Sequence, residues 1–188
     1  MPRLFTALEV PPVVCERLSL FRTGLPGARW VDPALYHLTL RFVGDVDGGL
    51  AREVTAALRE MRPAAPVHVS LVSLAAFGGA RPRAIYAGAA AGADLLRLQA
   101  EQEKLVRRSG AEPETRKFTP HVTLARLRDV RAADVAAFLA RSGPLFGLSF
   151  TATRVVLLSS REGTGGGPYV VEAEYPLGPA VPPRPADR

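Results

Sequence analysis

From Arg3 to Val10 the chain is apolar and β-prone; Pro11 and Pro12 then open a segment where Val14, Leu18 and Phe21 recur at helical spacing. This predicts a strand followed by a helix. Beyond Gly24 and Gly27, the run Tyr36-His37-Leu38-Thr39-Leu40-Arg41-Phe42-Val43 alternates residue by residue. Strict alternation sends Leu38, Leu40 and Phe42 to one face of a strand and His37, Thr39 and Arg41 to the other. Gly44 to Gly49 supply a turn, and Leu50, Val54, Leu58 and Met61 carry a helical period up to Pro63. Residues 67–77 and 84–90 read as two strands joined across Gly78-Gly79.

The same order of elements then returns. Leu95, Leu98, Gln102, Leu105 and Val106 mark a helix ending near Gly110. Residues 118–124 form a strand, 132–140 a helix, and 145–159 with 169–175 a hairpin across Gly163–Gly167. Each half therefore reads strand, helix, His-Thr strand, helix, hairpin, as an internal repeat of about residues 3–90 and 84–176. The expected class is α+β, with antiparallel sheets flanked by helices, in one domain spanning 1–176. Past Pro176 come Pro179, Pro182, Pro183 and Pro185 with little to bury, so 177–188 is expected to be a flexible tail.

The repeat places His37-Leu38-Thr39-Leu40 and His121-Val122-Thr123-Leu124 at equivalent positions, 84 residues apart (121 − 37). With 10 Thr and 24 Leu in 188 residues, a His followed by Thr at +2 and Leu at +3 arises by chance in roughly 0.7% of cases. Two of the three histidines carry it, which has odds on the order of one in ten thousand. On a strand, His and Thr two residues apart share a face about 6–7 Å from one another. Two such strands related by an internal pseudo-twofold would set two imidazoles on opposite sides of one cleft with two hydroxyls between them. In-line displacement at phosphorus uses that arrangement. One imidazole takes a proton from the attacking oxygen, the other protonates the leaving oxygen, and the threonines hydrogen-bond the non-bridging oxygens. Imidazole suits both tasks near neutral pH, and symmetry alone does not say which histidine does which.

Composition narrows the setting. At 188 residues, 47% hydrophobic and 22% charged, the chain has the balance of a water-soluble globular protein long enough to bury a core. No apolar run approaches the roughly 18 residues of a membrane span, and no signal-peptide pattern opens the chain, so a cytoplasmic location, no membrane partner and a monomer are expected. The net charge of +6 favours anionic partners. All basic residues but Lys104 and Lys117 are arginines, which also fits a GC-rich codon bias alongside abundant Ala, Gly and Pro. A lone cysteine, Cys15, excludes an intramolecular disulfide and a cysteine-built zinc site, and its place in an apolar helical pattern predicts core packing.

Four segments together resemble the bacterial and archaeal RNA 2′,3′-cyclic phosphodiesterases, two-histidine phosphoesterases once named 2′-5′ RNA ligases. They are Leu4-Phe5-Thr6-Ala7-Leu8 up to Pro11, His37 to Gly44, Arg83-Ala84-Ile85-Tyr86-Ala87-Gly88, and Phe118 to Arg126. The resemblance runs in order over about residues 3–176, and the paired motif is its specific part. It implies a bilobed fold with two pseudo-twofold-related sheets, the two chain ends building one lobe, the middle the other, and the active-site cleft between them. It implies His37 as proton donor to the leaving oxygen, His121 as proton acceptor from water, and Thr39 and Thr123 on the phosphate. Arg126, where the family often has arginine, is the candidate for a further phosphate contact. The implied substrate is RNA with a 2′,3′-cyclic phosphate end, opened to a 2′-phosphate without metal or other cofactor, with weak reverse 2′-5′ ligation. Val43, where leucine is usual, and the proline-rich tail depart from the pattern without touching the chemistry.

Other features point to structure. His68 lacks a threonine at +2, and no acidic residue accompanies either motif, so no metal site is expected. Gly163-Thr164-Gly165-Gly166-Gly167 lacks the Lys-Ser or Lys-Thr of a nucleotide P-loop and reads as a hairpin loop. Neither lysine stands in the Lys-x-Asp-Gly context of an ATP-dependent nucleic-acid ligase. Phe5, Trp30, Phe42, Tyr86 and Phe118 could stack on a base or serve the core equally well. Two alternatives stay open on sequence: a phosphodiesterase of a small cyclic nucleotide or of cyclic ADP-ribose phosphate, and a non-catalytic RNA-end binder.

Overall fold

The computed structural model describes residues 2–61, 65–143, 145, 147–160 and 168–178. The chain runs β1 (Arg3–Glu9), α1 (Pro12–Ser19), β2 (Ala28–Trp30), a 3-10 turn (Pro33–Leu35), β3 (His37–Asp45), α2 (Gly48–Arg59), β4 (Val67–Phe77), β5 (Ala84–Ala89), α3 (Ala93–Arg108), β6 (His121–Leu127), α4 (Ala132–Ser142), β7 (Leu148–Ala152), β8 (Arg154–Ser160) and β9 (Tyr169–Pro176). Pro12 occupies the first turn of α1, where its missing N–H costs nothing. Asp47 caps α2 by accepting from the Leu50 N–H at 2.8 Å. Asp94 with Arg107 and Arg108 on α3, and Asp134 with Arg141 on α4, set charge against each helix dipole with the favourable sign.

The strands follow the order β7-β4-β5-β6-β3-β1-β8-β9, with every pairing antiparallel. This path consists of two four-stranded halves. β3-β1-β8-β9 come from the two ends of the chain and β7-β4-β5-β6 from its middle, as the resemblance implies. The halves meet at one residue pair, Leu38 with Val122, and the short β2 pairs with β6 where β3 has left it. Helices bridge the junction: α3 packs on β3 and β4, α1 on β7, and α2 on α3 and β9. One core of Leu8, Leu18, Leu38, Leu58, Leu71, Leu105, Val122, Leu124 and their neighbours runs through both halves. Cys15 lies within it, as its pattern predicts. A smaller cluster of Phe5, Ala7, Val156 and Leu158 belongs to the end-derived half.

The structure differs from the sequence reading in four places. The expected strand 145–159 is broken at Thr153, because β7 pairs with β4 while β8 pairs with β1; the chain changes halves there, and alternation does not reveal a partner. The strand expected over 118–124 begins only at His121, after Pro120, and extends to Leu127. β2 and the 3-10 turn, three residues each, are too short to show a period. Leu177, assigned by sequence to the tail, is buried, and its N–H donates to the Thr153 carbonyl at 2.7 Å. The remaining tail, residues 179–188, and the Gly163–Gly167 loop lie outside the described residues. No helix among the described residues is long and apolar enough to cross a membrane.

Candidate active site

Both His-Thr motifs open a strand, His37 on β3 and His121 on β6, and these are the two strands that meet at the junction. Leu38 and Val122, each fully buried, form the meeting pair and point into the core. Their neighbours therefore point the other way. Continued one residue in each direction, the antiparallel register sets His37 across from Thr123 and Thr39 across from His121. The pseudo-twofold of the repeat thus passes through Leu38 and Val122, with two imidazoles and two hydroxyls on the one face around it.

Each strand also carries a bulge just past its threonine. Thr6 pairs with Arg41 but Ala7 with Thr39, leaving Leu40 as the extra residue; Ile85 pairs with Ala125 but Tyr86 with Thr123, leaving Leu124. Consecutive residues are consequently buried at Leu40-Arg41 and at Leu124-Ala125. The strict alternation expected for residues 36–43 fails here, and Arg41 does not share a face with His37. It is 3% exposed, ion-paired with Glu103 of α3, and donates to the carbonyls of Phe42 and Glu112. The second bulge has the opposite benefit. It returns Arg126, five residues after His121, to the face of His121 and Thr123, where unbroken alternation would have turned it away. Arg126 is exposed, and its charge and that of His121 both act on His37.

The two imidazoles are held alike. The Nδ1 of His37 lies 2.8 Å from the Leu35 carbonyl and that of His121 lies 2.6 Å from the Thr119 carbonyl, each two residues upstream. A carbonyl only accepts, so Nδ1 carries the proton in both rings and Nε2 is left to exchange one. Each ring rests on aromatics: His37 on Phe5 and Tyr169, both at 5.1 Å between centroids, and His121 on Phe77 at 4.8 Å and Tyr86 at 5.3 Å. Burial lowers both imidazole pKa values below 6.5, and for His37 the charges of His121 and Arg126 lower it further. Gly88 pairs with His121, and a Cβ there would come within 2.4 Å of Ser73 Oγ, so the glycine lets the Ser73 side chain of β4 sit close over β5.

Of the sequence-predicted residues, His37, Thr39, His121, Thr123 and Arg126 converge. His68 does not: it is exposed on β4, 3.2 Å from Ser70 Oγ. No group of three or more metal-ligating side chains occurs among the described residues. Phe5 and Tyr86 join the site and Phe42 stacks at 6.4 Å on Phe5, whereas Trp30 packs on Phe138 and Phe118 on the core. Sequence reading passed over Tyr169, Phe77 and the two orienting carbonyls. The carbonyls had a signal, since both fall at the same offset before a repeated histidine; the aromatics come from β4 and β9, and no local spacing ties them to either motif.

The model of the 2′-5′ RNA ligase superfamily matches residues 11–164. The RNA 2′,3′-cyclic phosphodiesterase of Aquifex aeolicus is 30% identical over 154 residues, covering 80% of this chain and 82% of that protein. The protein of the same name from Aeropyrum pernix is 37% identical over 117 residues, covering 61% of this chain and 65% of its relative. Among solved structures, TT0787 of Thermus thermophilus superposes with a TM-score of 0.78 at 26% identity, covering 93% of this chain and 97% of its own. LigT of E. coli, complexed with 3′-AMP, shares the fold at a TM-score of 0.77 and 24% identity, covering 94% and 99%. With a matching family model over most of its length and both halves of the paired motif meeting at one junction, the chain belongs to the 2′-5′ RNA ligase superfamily.

Proposed function

We propose that this protein hydrolyses RNA 2′,3′-cyclic phosphate ends to 2′-phosphates by acid and base catalysis from its two histidines, without a metal. The observation that carries the reading is the pair of imidazoles across the pseudo-twofold, each with Nδ1 tied to a carbonyl and Nε2 without a partner among the described residues. The names of the similar proteins support the substrate class. His121 Nε2 takes a proton from water as the water oxygen attacks phosphorus. The bond from phosphorus to the 3′ oxygen breaks on the far side, and His37 Nε2 gives that oxygen its proton. Thr39, Thr123 and Arg126 hold the non-bridging oxygens as their charge redistributes. With a 5′-OH in place of water as the nucleophile, its proton going to His121 and the 3′ oxygen again leaving with a proton from His37, the same site joins the two ends through a 2′-5′ linkage, slowly and without ATP.

A short RNA ending in a 2′,3′-cyclic phosphate, compared with 2′,3′-cyclic mononucleotides and cyclic ADP-ribose phosphate, tests this directly. The RNA is expected to be the best substrate and phosphorus NMR to show a 2′-phosphate. A 3′-phosphate product would reverse the donor and acceptor roles, and binding without turnover would leave an RNA-end binder.

A further inference from the structure

Beyond the reacting phosphate, the face that carries the two histidines also carries a charge arrangement that the fold does not need. β2 pairs with β6 so that Arg29 lies directly across from Arg126. Both are exposed, and no carboxylate pairs with either among the described residues. Like charges directly opposite on adjacent strands are destabilising. Elsewhere on the sheet such positions are neutralised: Arg3 faces Asp45 across β1 and β3 and binds it at 2.8 Å, and Arg154 bridges Glu9 and Glu174. Directly opposed residues project to the same side, and the bulge at Leu124 puts Arg126 on the side of Thr123; Arg29 is therefore on that side too. Arg126 lies three residues along the strand from Thr123, at most about 10 Å, so the pair begins next to the phosphate seat and leads sideways from β6 to β2.

We infer that Arg29 is a specificity residue that holds the internucleotide phosphate immediately 5′ of the reacting end, with Arg126 standing between the two phosphates. The inference rests on the reading of this site as one for RNA ends. A polyanion with successive phosphates supplies the two negative charges that the opposed arginines lack, whereas a cyclic mononucleotide carrying only the ring phosphate supplies one. Arg29 then selects polymer over mononucleotide and leaves the chemistry to the histidines.

The test compares Arg29→Ala with Arg52→Ala, which removes an equal charge from the exposed side of α2. Two readouts are needed. The first is the ratio of kcat/KM for a short RNA with a cyclic end to that for a cyclic mononucleotide. The second is equilibrium binding of the same RNA bearing a 2′-phosphate, followed by fluorescence anisotropy across a salt series. Arg29→Ala is expected to lower the ratio and the affinity about tenfold and to reduce the salt slope by about 0.7, while Arg52→Ala changes neither. Its melting temperature should hold or rise, since a repulsion has been removed. An unchanged ratio and salt slope, or equal losses on both substrates, would overturn the inference. If the parent protein turns over neither substrate, the proposed activity fails, and the anisotropy comparison still decides whether Arg29 binds RNA backbone.

Discussion

At the residue scale, the proposed chemistry runs through Nε2 of two histidines whose other nitrogens are committed to Leu35 and Thr119. Replacing either His37 or His121 with alanine is expected to lower turnover by roughly 10²–10⁴, the range for a general acid or base. His68→Ala, on an exposed strand position away from the site, is expected to change it little, and steady-state kinetics on the three variants checks this. The lowered pKa values fix the sign of the pH dependence. One histidine must be protonated and the other neutral, and both titrate below 6.5 in the free protein. The singly protonated form therefore peaks on the acid side of 6.5, and the bell of kcat/KM should peak there, with apparent values that belong to the pair. An anionic substrate stabilises the protonated rings, so the profile of kcat should shift to higher pH. A kcat/KM optimum well above 7 would contradict the burial of the rings. Excess EDTA should leave all of these rates unchanged.

At the scale of elements, the two bulges do what the motif alone could not. They turn Arg41 inward and Arg126 outward from strands that share the same His-x-Thr-Leu start. Arg41 then ties β3 to α3 through Glu103, and through Glu112 to the segment that leads to Thr119 and His121. Arg41 is buried, whereas Glu103 is partly exposed and keeps the Glu114 N–H and Arg107 as partners, so losing the guanidinium and its hydrogen bonds costs about 1–3 kcal/mol. Arg41→Met should therefore lower stability by that order in urea denaturation, and Arg41→Met with Glu103→Leu should recover part of the loss, whereas additive losses would show that the pair is not coupled. The His-Thr strands, all four helices and the β4-β5 hairpin were legible in the sequence because each has a period longer than the noise. The bulges were not, since a one-residue insertion into a two-residue period looks like ordinary variation. The break at Thr153 was hidden for a different reason: both sides of it are good strands, and only tertiary pairing separates them.

At the scale of the molecule, two halves share one backbone-paired contact but one continuous core. The site lies on the seam, so its geometry depends on both halves folding together. Trp30 fluorescence and far-UV circular dichroism should report coincident urea transitions. The lone tryptophan packs on Phe138, close to the middle-derived half through the pairing of β2 with β6, while circular dichroism reports on the whole chain. Two separated transitions would mean that the halves are independent and that the seam is not a rigid platform.

The proposed mechanism has His37 protonate the leaving oxygen and His121 activate water. It is tested most directly with an RNA end whose bridging 3′ oxygen in the cyclic phosphate is replaced by sulfur, since a thiolate leaves without needing a proton. On this substrate His37→Ala should approach the rate of the parent protein, while His121→Ala stays lower by roughly 10²–10⁴. Equal impairment of both variants, or rescue of His121→Ala instead, would contradict the assignment.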